Sequence, residues 1–243
     1  MNMEKAETNA SSNKAKLLAA LAGQPNSGKT TVFNALTGTH QHTGNYPGVT
    51  VEKKEGIFKV DGRTVRVVDL PGVYSLTAYT LEERIARQFL LEERPDVVVN
   101  VVDASNLERH LYLTVQLIEM KVPLVLAFNM SDLARQRGLE FDLEQMRVLL
   151  GAPIVPLVAT KKEGIEQLKE AIVRYADSPR PKPVEIRYGP EMDEAVGKIE
   201  QTLEESHPLI QQYGRRWVAL KLLEGDPEIR YQIRSPQTTD VLH

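Results

Sequence analysis

Between an apolar run, Leu17 to Ala22, and a helix-like run, Thr31-Val-Phe-Asn-Ala-Leu36, stands the octet Gly23-Gln24-Pro25-Asn26-Ser27-Gly28-Lys29-Thr30. The two flanks read as a buried strand and a helix, so the octet is a turn at a strand-to-helix junction. A turn of this kind points backbone N–H groups inward, and the helix N-terminus adds partial positive charge, which suits a polyphosphate. Gly23 and Gly28 permit close approach of the backbone. Lys29 can reach the β- and γ-phosphates, and Thr30 offers a hydroxyl to Mg²⁺. The spacing G-x-x-x-x-G-K-T is a full P-loop pattern in the context it requires, and it predicts a nucleoside-phosphate site.

Composition leaves room for such a fold and excludes several others. The chain has 243 residues, 42% hydrophobic and 26% charged, which allows a sizeable core in one large domain or one medium domain plus a small one. Net charge is −3, so no global electrostatic pull toward nucleic acid or an anionic membrane is expected. There is no cysteine, which excludes disulfides and thiolate metal sites. The apolar runs fall far short of the ~20 residues that span a bilayer, and residues 1–15 are polar, so a soluble piece without a signal peptide is expected.

Along the chain, strands alternate with helices up to Tyr175, which predicts an α/β doubly wound sheet. Residues 1–15 read as a tail. Residues 39–51 contain Gly, Pro and Asn without helical period and read as a long loop. Within it, His40 and His42 lack a third ligand and read as solvated, whereas Thr50, downstream of the P-loop helix, can close over Mg²⁺ and the γ-phosphate as a switch segment does. Ile57 to Val60 and Thr64 to Val68 flank Asp61-Gly62, a hairpin signal that makes the sheet mixed. That hairpin delivers Asp69-Leu-Pro-Gly72: the aspartate can hold Mg²⁺ through water, and the glycine N–H can serve the γ-phosphate. Thr80-x-x-Glu83 and Ser105-x-x-Glu108 read as capping boxes of two helices, the second with Leu107, Leu111, Val115 and Ile118 on its apolar face.

The strand Val122 to Phe128 carries Asn129-Met-Ser-Asp132 to the carboxyl edge of the sheet, where ligands of open α/β sheets sit. A carboxylate there accepts from the ring N1–H and exocyclic amine of guanine, a donor pair adenine does not present. A helix from Asp142 to Leu150, a strand from Pro153 to Val158 and a helix from Gly164 to Tyr175 complete this part. Ser178 to Pro183 is proline-dense and reads as a linker. Beyond it only helical patterns appear, from Pro190 and again from about Tyr213 to Glu224, as a small all-α domain over residues 184–234 before a tail at 235–243.

Gly23 to Thr30, Tyr46-Pro-Gly-Val-Thr50, Asp69-Leu-Pro-Gly-Val-Tyr-Ser-Leu76, Val102-Asp-Ala-Ser-Asn-Leu-Glu108 and Asn129-Met-Ser-Asp132 together resemble the N-terminal region of the bacterial ferrous iron transport protein B (FeoB) family. The resemblance is dense over about Lys16 to Tyr175, within residues 16–177 taken as a GTP-binding G domain, and looser over the helical part to about Ile233. It implies a P-loop NTPase-type G domain, a helical domain that slows GDP release, and a membrane-spanning iron permease outside this stretch. The implied setting is the cytoplasmic side of the inner membrane. The implied partners are that permease, small accessory Feo proteins and further copies of the chain, with no nucleic acid.

The nucleotide is then expected to touch Gly23, Gln24, Pro25, Asn26, Ser27, Gly28, Lys29, Thr30 and Thr31. Further contacts are expected from Gly48, Val49, Thr50, Asp69, Gly72, Asn129, Met130, Asp132, Val158, Ala159 and Thr160. Mg²⁺ is assigned to Thr30, Thr50 and, through water, Asp69. Two departures from the common small-GTPase pattern stand out. Met130 replaces the usual lysine, removing a lid over the base, and Ala159-Thr160 replaces the usual Ser-Ala. The place of the water-orienting glutamine is taken by Val73, which cannot hydrogen-bond. The resemblance assigns Asn26 to a K⁺ ion that stands in for an arginine finger, leaving catalysis to Lys29, Asn26, Thr50 and the Gly72 N–H. A potassium-activated GTPase of ribosome assembly or tRNA modification is the alternative, weakened by the lack of a basic module after Pro183.

Overall fold

The computed structural model describes residues 16–179 and 183–234, so the two expected tails and the centre of the proline-dense linker lie outside the described residues. Seven strands form one sheet: β1 (Leu17–Gly23), β2 (Gln41–Asn45), β3 (Glu52–Val60), β4 (Arg63–Asp69), β5 (Val97–Asp103), β6 (Leu124–Asn129) and β7 (Ile154–Pro156). Their order is β2-β3-β4-β1-β5-β6-β7. β3 is antiparallel to both of its neighbours and every other pair is parallel, which is the mixed sheet expected. The β3–β4 turn is Asp61-Gly62 with both φ angles positive, 49° and 70°, as a two-residue hairpin turn requires.

Alternation along β1 divides the core in two. Leu17, Ala19 and Leu21 face Phe33 and Leu36 of α1 (Lys29–Thr37) and Leu168 and Ile172 of α6 (Ile165–Asp177). Ala20 and Ala22 face the opposite layer, where Phe89 and Leu90 of α2 (Leu81–Glu92) and Leu113 and Leu117 of α3 (Leu107–Glu119) pack. β5 is buried from Val97 through Val102, as a central parallel strand covered on both faces must be. α2 begins with the expected capping box, Thr80 and Glu83 each bonding the other's backbone N–H.

Several expectations need correction. Residues 41–45 are not loop but strand β2, an edge strand paired with β3 from Gln41 opposite Gly56 to Asn45 opposite Glu52. All five residues are exposed, so no apolar alternation marked them. Ser105 does not cap α3: Asp103 accepts from both the Ser105 N–H and its hydroxyl, at 2.8 Å each, and winds residues 104–106 into a 3-10 turn. The buried residues of α3 are His110, Leu113, Thr114, Gln116, Leu117 and Ile118, so of the anticipated stripe Ile118 is buried while Leu107, Leu111 and Val115 are only partly covered. A short helix, α4 (Ser131–Gln136), follows β6 directly and had no separate expectation, while α5 (Leu143–Leu150) keeps its Asp142 cap.

Among the described residues after 183 stand four helices: α7 (Pro190–Thr202), α8 (Pro208–Tyr213), α9 (Arg215–Leu223) and α10 (Pro227–Arg234). The helix anticipated from about Tyr213 to Glu224 is α9, which begins after Gly214 (φ 82°), and the short α8 before it had no expectation. Val196, Leu203, Leu209, Trp217, Val218 and Ile229 form a separate core, and this unit docks on the sheet domain rather than standing alone. Met120 joins that core from the end of α3. Tyr188 donates its hydroxyl to Glu119, and Arg87 of α2 pairs with Asp226 and Glu228. No helix among the described residues is long and apolar enough to cross a membrane.

Candidate nucleotide site at the carboxyl edge of the sheet

Four segments meet where β1, β4, β6 and β7 end. The first is the β1–α1 turn. Ser27 N–H donates to Gln24 O at 3.2 Å and Val32 N–H to Gly28 O at 3.0 Å, so the turn curls directly into the helix. Asn26 and Gly28 are both left-handed, with φ of 66° and 82°, and they bracket Ser27. Alternation of this kind turns successive N–H groups to one side and makes an anion-binding concavity. Lys29, Thr30 and Thr31 open α1 beneath it.

The second segment leaves β4. Leu70 N–H donates to Leu21 O at 2.9 Å and Val73 N–H to Gly23 O at 3.2 Å, which lays residues 70–73 along the base of the loop. Gly72 lies against Pro25: a Cβ there would stand 3.5 Å from the proline Cα. Asp69 receives the Lys29 ammonium in direct contact, with the side chains 8% and 10% exposed. Burial pushes the Asp69 carboxyl above its ordinary range, and Lys29 draws it back in part. The site thus holds a buried, paired ammonium and carboxylate at the spot where phosphate and Mg²⁺ are expected. Val73 is buried, so its side chain belongs to the core.

β6 supplies the third segment and links it to the others. Asn129 donates its amide to Ser27 O at 3.0 Å and accepts from Ala159 N–H at 3.1 Å. One buried side chain therefore ties the phosphate loop, the Asn129-to-Asp132 turn and the residue 158–160 turn together. Met130, with φ of 57°, brings its methyl group close to Gly28, where a Cβ would lie 3.7 Å from it. Asp132 sits in the first turn of α4 with its Oδ1 accepting from Leu133 N–H at 2.9 Å.

The fourth segment, Val158, Ala159 and Thr160, ends the β7 connection as a 3-10 turn whose Thr160 is exposed. Sequence reasoning missed the residue next to it. Lys161 donates to Asp132 Oδ2 at 2.9 Å, and this hydrogen bond holds the Asp132 carboxyl below the usual carboxylate range. The two residues are 29 apart in sequence, and nothing local announces the pairing.

Gly48, Val49 and Thr50 occupy a turn between β2 and β3, closed by Val49 N–H to Tyr46 O at 3.3 Å and Tyr46 N–H to Val51 O at 2.9 Å. Thr50 is exposed. The turn is moored by Tyr46, a buried residue whose hydroxyl reaches Asp69 O at 3.3 Å. The connection from Thr50 to Asp69 therefore runs through Tyr46.

Family models match on both sides of the linker: "Ferrous iron transport protein B" over residues 17–172 and "FeoB cytosolic helical domain" over residues 188–242. The Fe(2+) transporter FeoB of Escherichia coli K12 is 46% identical over 216 residues, 87% of this chain and 27% of its own length. A Porphyromonas gingivalis protein, an Fe(2+) transport protein A/Fe(2+) transporter FeoB fusion, is 44% identical over 86% of this chain and 25% of its own. The chain thus spans about a quarter of the length of these relatives. Among solved structures, the cytosolic domain of T. maritima FeoB in apo form superposes with a TM-score of 0.83 at 39% identity, over 93% of this chain and 89% of that one. The same T. maritima domain has been solved in a GMPPNP form, with a TM-score of 0.82, 40% identity and coverage of 92% and 88%. With the P-loop, the Asp69 turn and the Asn129-to-Asp132 turn converging as described, this chain belongs to the FeoB family and comprises its G domain and cytosolic helical domain.

Proposed function

We propose that this chain binds GTP and GDP at the carboxyl edge of its sheet, hydrolyses GTP, and acts as the nucleotide-controlled part of a ferrous iron transporter at the cytoplasmic face of the bacterial inner membrane. The observation that carries this reading is Asn129, which joins the phosphate loop to both base-side turns and so makes phosphate and base recognition one structure. The membrane permease is placed in the three quarters of the relatives' length that this chain does not span. An accessory iron-transport protein is a natural partner, since the P. gingivalis relative is named as a fusion with one. We assign residues 16–177 to nucleotide chemistry and residues 184–234 to its regulation. Family membership sets aside the ribosome-assembly or tRNA-modification alternative.

The base is read by Asp132, with the Thr160 N–H offered to the guanine carbonyl and with Val158 and Ala159, whose N–H groups are bonded to Glu163 O and Asn129 Oδ1, supporting that turn. Thr30, Thr50 and Asp69 form an oxygen-only donor set that fits Mg²⁺, which would neutralise phosphate charge there. Lys29 is held beside the same spot by Asp69 and transfers its hydrogen bonds to the β- and γ-phosphates. The Gly72 N–H is placed by the Val73 anchor to Gly23 and serves the γ-phosphate. Val73 is buried and cannot orient water, so stabilisation must come from fixed charge.

Asn26 stands exposed at the lip of the loop, and its amide oxygen suits a large, weakly hydrated monovalent cation such as K⁺. GTP turnover is expected to be at least ~10-fold faster in KCl than in NaCl, well within what one fixed positive charge contributes at a phosphoryl group. Asn26→Ala is expected to remove the difference between the two salts. Equal rates in the two salts, or a K⁺ response that survives the substitution, would remove Asn26 and K⁺ from the mechanism.

A further inference from the structure

Helix α3 touches both the phosphate loop and the segment that follows Gly72. In its first turn Arg109 O accepts from the Gln24 amide at 2.7 Å, and Gln24 is buried, so this side chain of the loop is spent on α3 rather than on a nucleotide. Two turns further along, Gln116 Oε1 accepts from Leu76 N–H at 2.6 Å. The Arg109 guanidinium carbon lies 4.8 Å from the centre of the Tyr74 ring. Arg109 and Tyr74 are both exposed.

Among the described residues Arg109 forms no ion pair, and its charge rests on the Tyr74 face instead. A guanidinium suits this place, because it is more weakly hydrated than an ammonium and favours an aromatic face. The contacts close a ring: Val73 N–H is bonded to Gly23 O, Gly72 lies against Pro25, Gln24 holds α3, and α3 holds Tyr74 through Arg109. Val73 and Leu76 are anchored in the core on either side of Tyr74, and Arg109 holds Tyr74 from the solvent side.

We propose that Arg109 is a positioning residue: stacked on Tyr74, it clamps residues 72–74 against the phosphate loop, so that the Gly72 N–H stands ready for a γ-phosphate. The clamp deepens the nucleotide reading above and rests on it for its consequence, a bias toward the triphosphate. Ordering these residues before the ligand arrives lowers the cost of binding GTP. GDP has no γ-phosphate for Gly72 to meet, so its affinity does not depend on the clamp. The device lies wholly within the sheet domain, built from the phosphate loop, the segment after β4 and α3.

Calorimetric titrations of GMPPNP and GDP into wild type, R109M, Y74A, Y74F and R109M/Y74A test the clamp. GMPPNP is expected to bind about fivefold more weakly to R109M and to Y74A, with GDP within about twofold of wild type in both. The double variant is expected to show the same fivefold loss and not the product of two, because each substitution removes the one stack. Y74F keeps the ring and is expected to match wild type. Both side chains are exposed, so the substitutions leave the core intact. GMPPNP affinity of R109M within about twofold of wild type overturns the clamp, and so does an equal loss for GDP. Losses that multiply in the double variant also overturn it, since Arg109 would then act without Tyr74, as does a loss in Y74F equal to that in Y74A. If wild type bound neither nucleotide, the nucleotide reading would fail instead. Amide hydrogen exchange at residues 72–76 of the nucleotide-free protein would then decide, being about fivefold faster in R109M if the clamp exists and within about twofold of wild type if it does not.

Discussion

Asp132→Asn is expected to lower affinity for GDP by roughly 100-fold or more while creating affinity for the xanthine nucleotide. In the folded protein each Asp132 oxygen already has one donor, Leu133 N–H on Oδ1 and Lys161 on Oδ2. A carboxylate has room for two more, one on each oxygen, and guanine supplies two from N1–H and its amine. An asparagine turns one of those oxygens into a donor that faces a donor of the base, and it leaves Lys161 without its counter-charge. Xanthine carries a carbonyl where guanine has the amine and so restores the match. Because Lys161 holds the Asp132 carboxyl below the usual carboxylate range, the wild-type preference is fully present at neutral pH. It should weaken only as pH falls below that range and the carboxylate takes up a proton. Competition titrations with GDP, XDP and ADP check this. Undiminished guanine preference in the variant would place the base elsewhere.

A second large effect is expected from Gly28→Ala, because it strikes backbone, base-side tie and phosphate cradle at once. Gly28 has φ of 82°, where an added Cβ costs about 1–2 kcal/mol. That Cβ would stand 2.3 Å from Asn129 Nδ2, so Asn129 must give way. Its bonds to Ser27 O and Ala159 N–H then stretch, at a further cost of about 1 kcal/mol each. The expected result is a melting temperature lower by roughly 5–15 °C. Nucleotide affinity should fall by at least ~100-fold, since both the phosphate and the base contacts are displaced. A thermal melt with a fluorescent-GDP titration measures both. Retention of tight binding would mean that the β1–α1 turn does not cradle the phosphates.

The sheet and the site were legible in the sequence to different depths. Buried parallel strands such as β1 and β5 announce themselves as short apolar runs, and the P-loop, Asp69 and Asn129 turns fall at their carboxyl ends, where a doubly wound sheet collects its ligands. Features that depend on partners distant in sequence escaped. β2 is held by its ladder to β3 and by the Gln41 amide on Asn34, Thr37 and Gly38, and it carries no apolar face. The α3 cap failed because Asp103 competes for Ser105 and wins both of its donors. α8, six residues from Pro208 to Tyr213, is too short to show a helical period. Lys161 meets Asp132, Tyr46 meets Asp69 and Arg109 meets Tyr74 only once the chain is folded, and these three contacts link the recognition turns to their surroundings.

Isothermal calorimetry of the purified chain with GDP and ADP, in Mg²⁺-containing buffer, tests most directly whether one sheet edge reads phosphate and base together. Saturable heat from GDP, with ADP at least ~100-fold weaker, is the predicted result. Equal affinities for the two, or no heat from either at millimolar nucleotide, would contradict it.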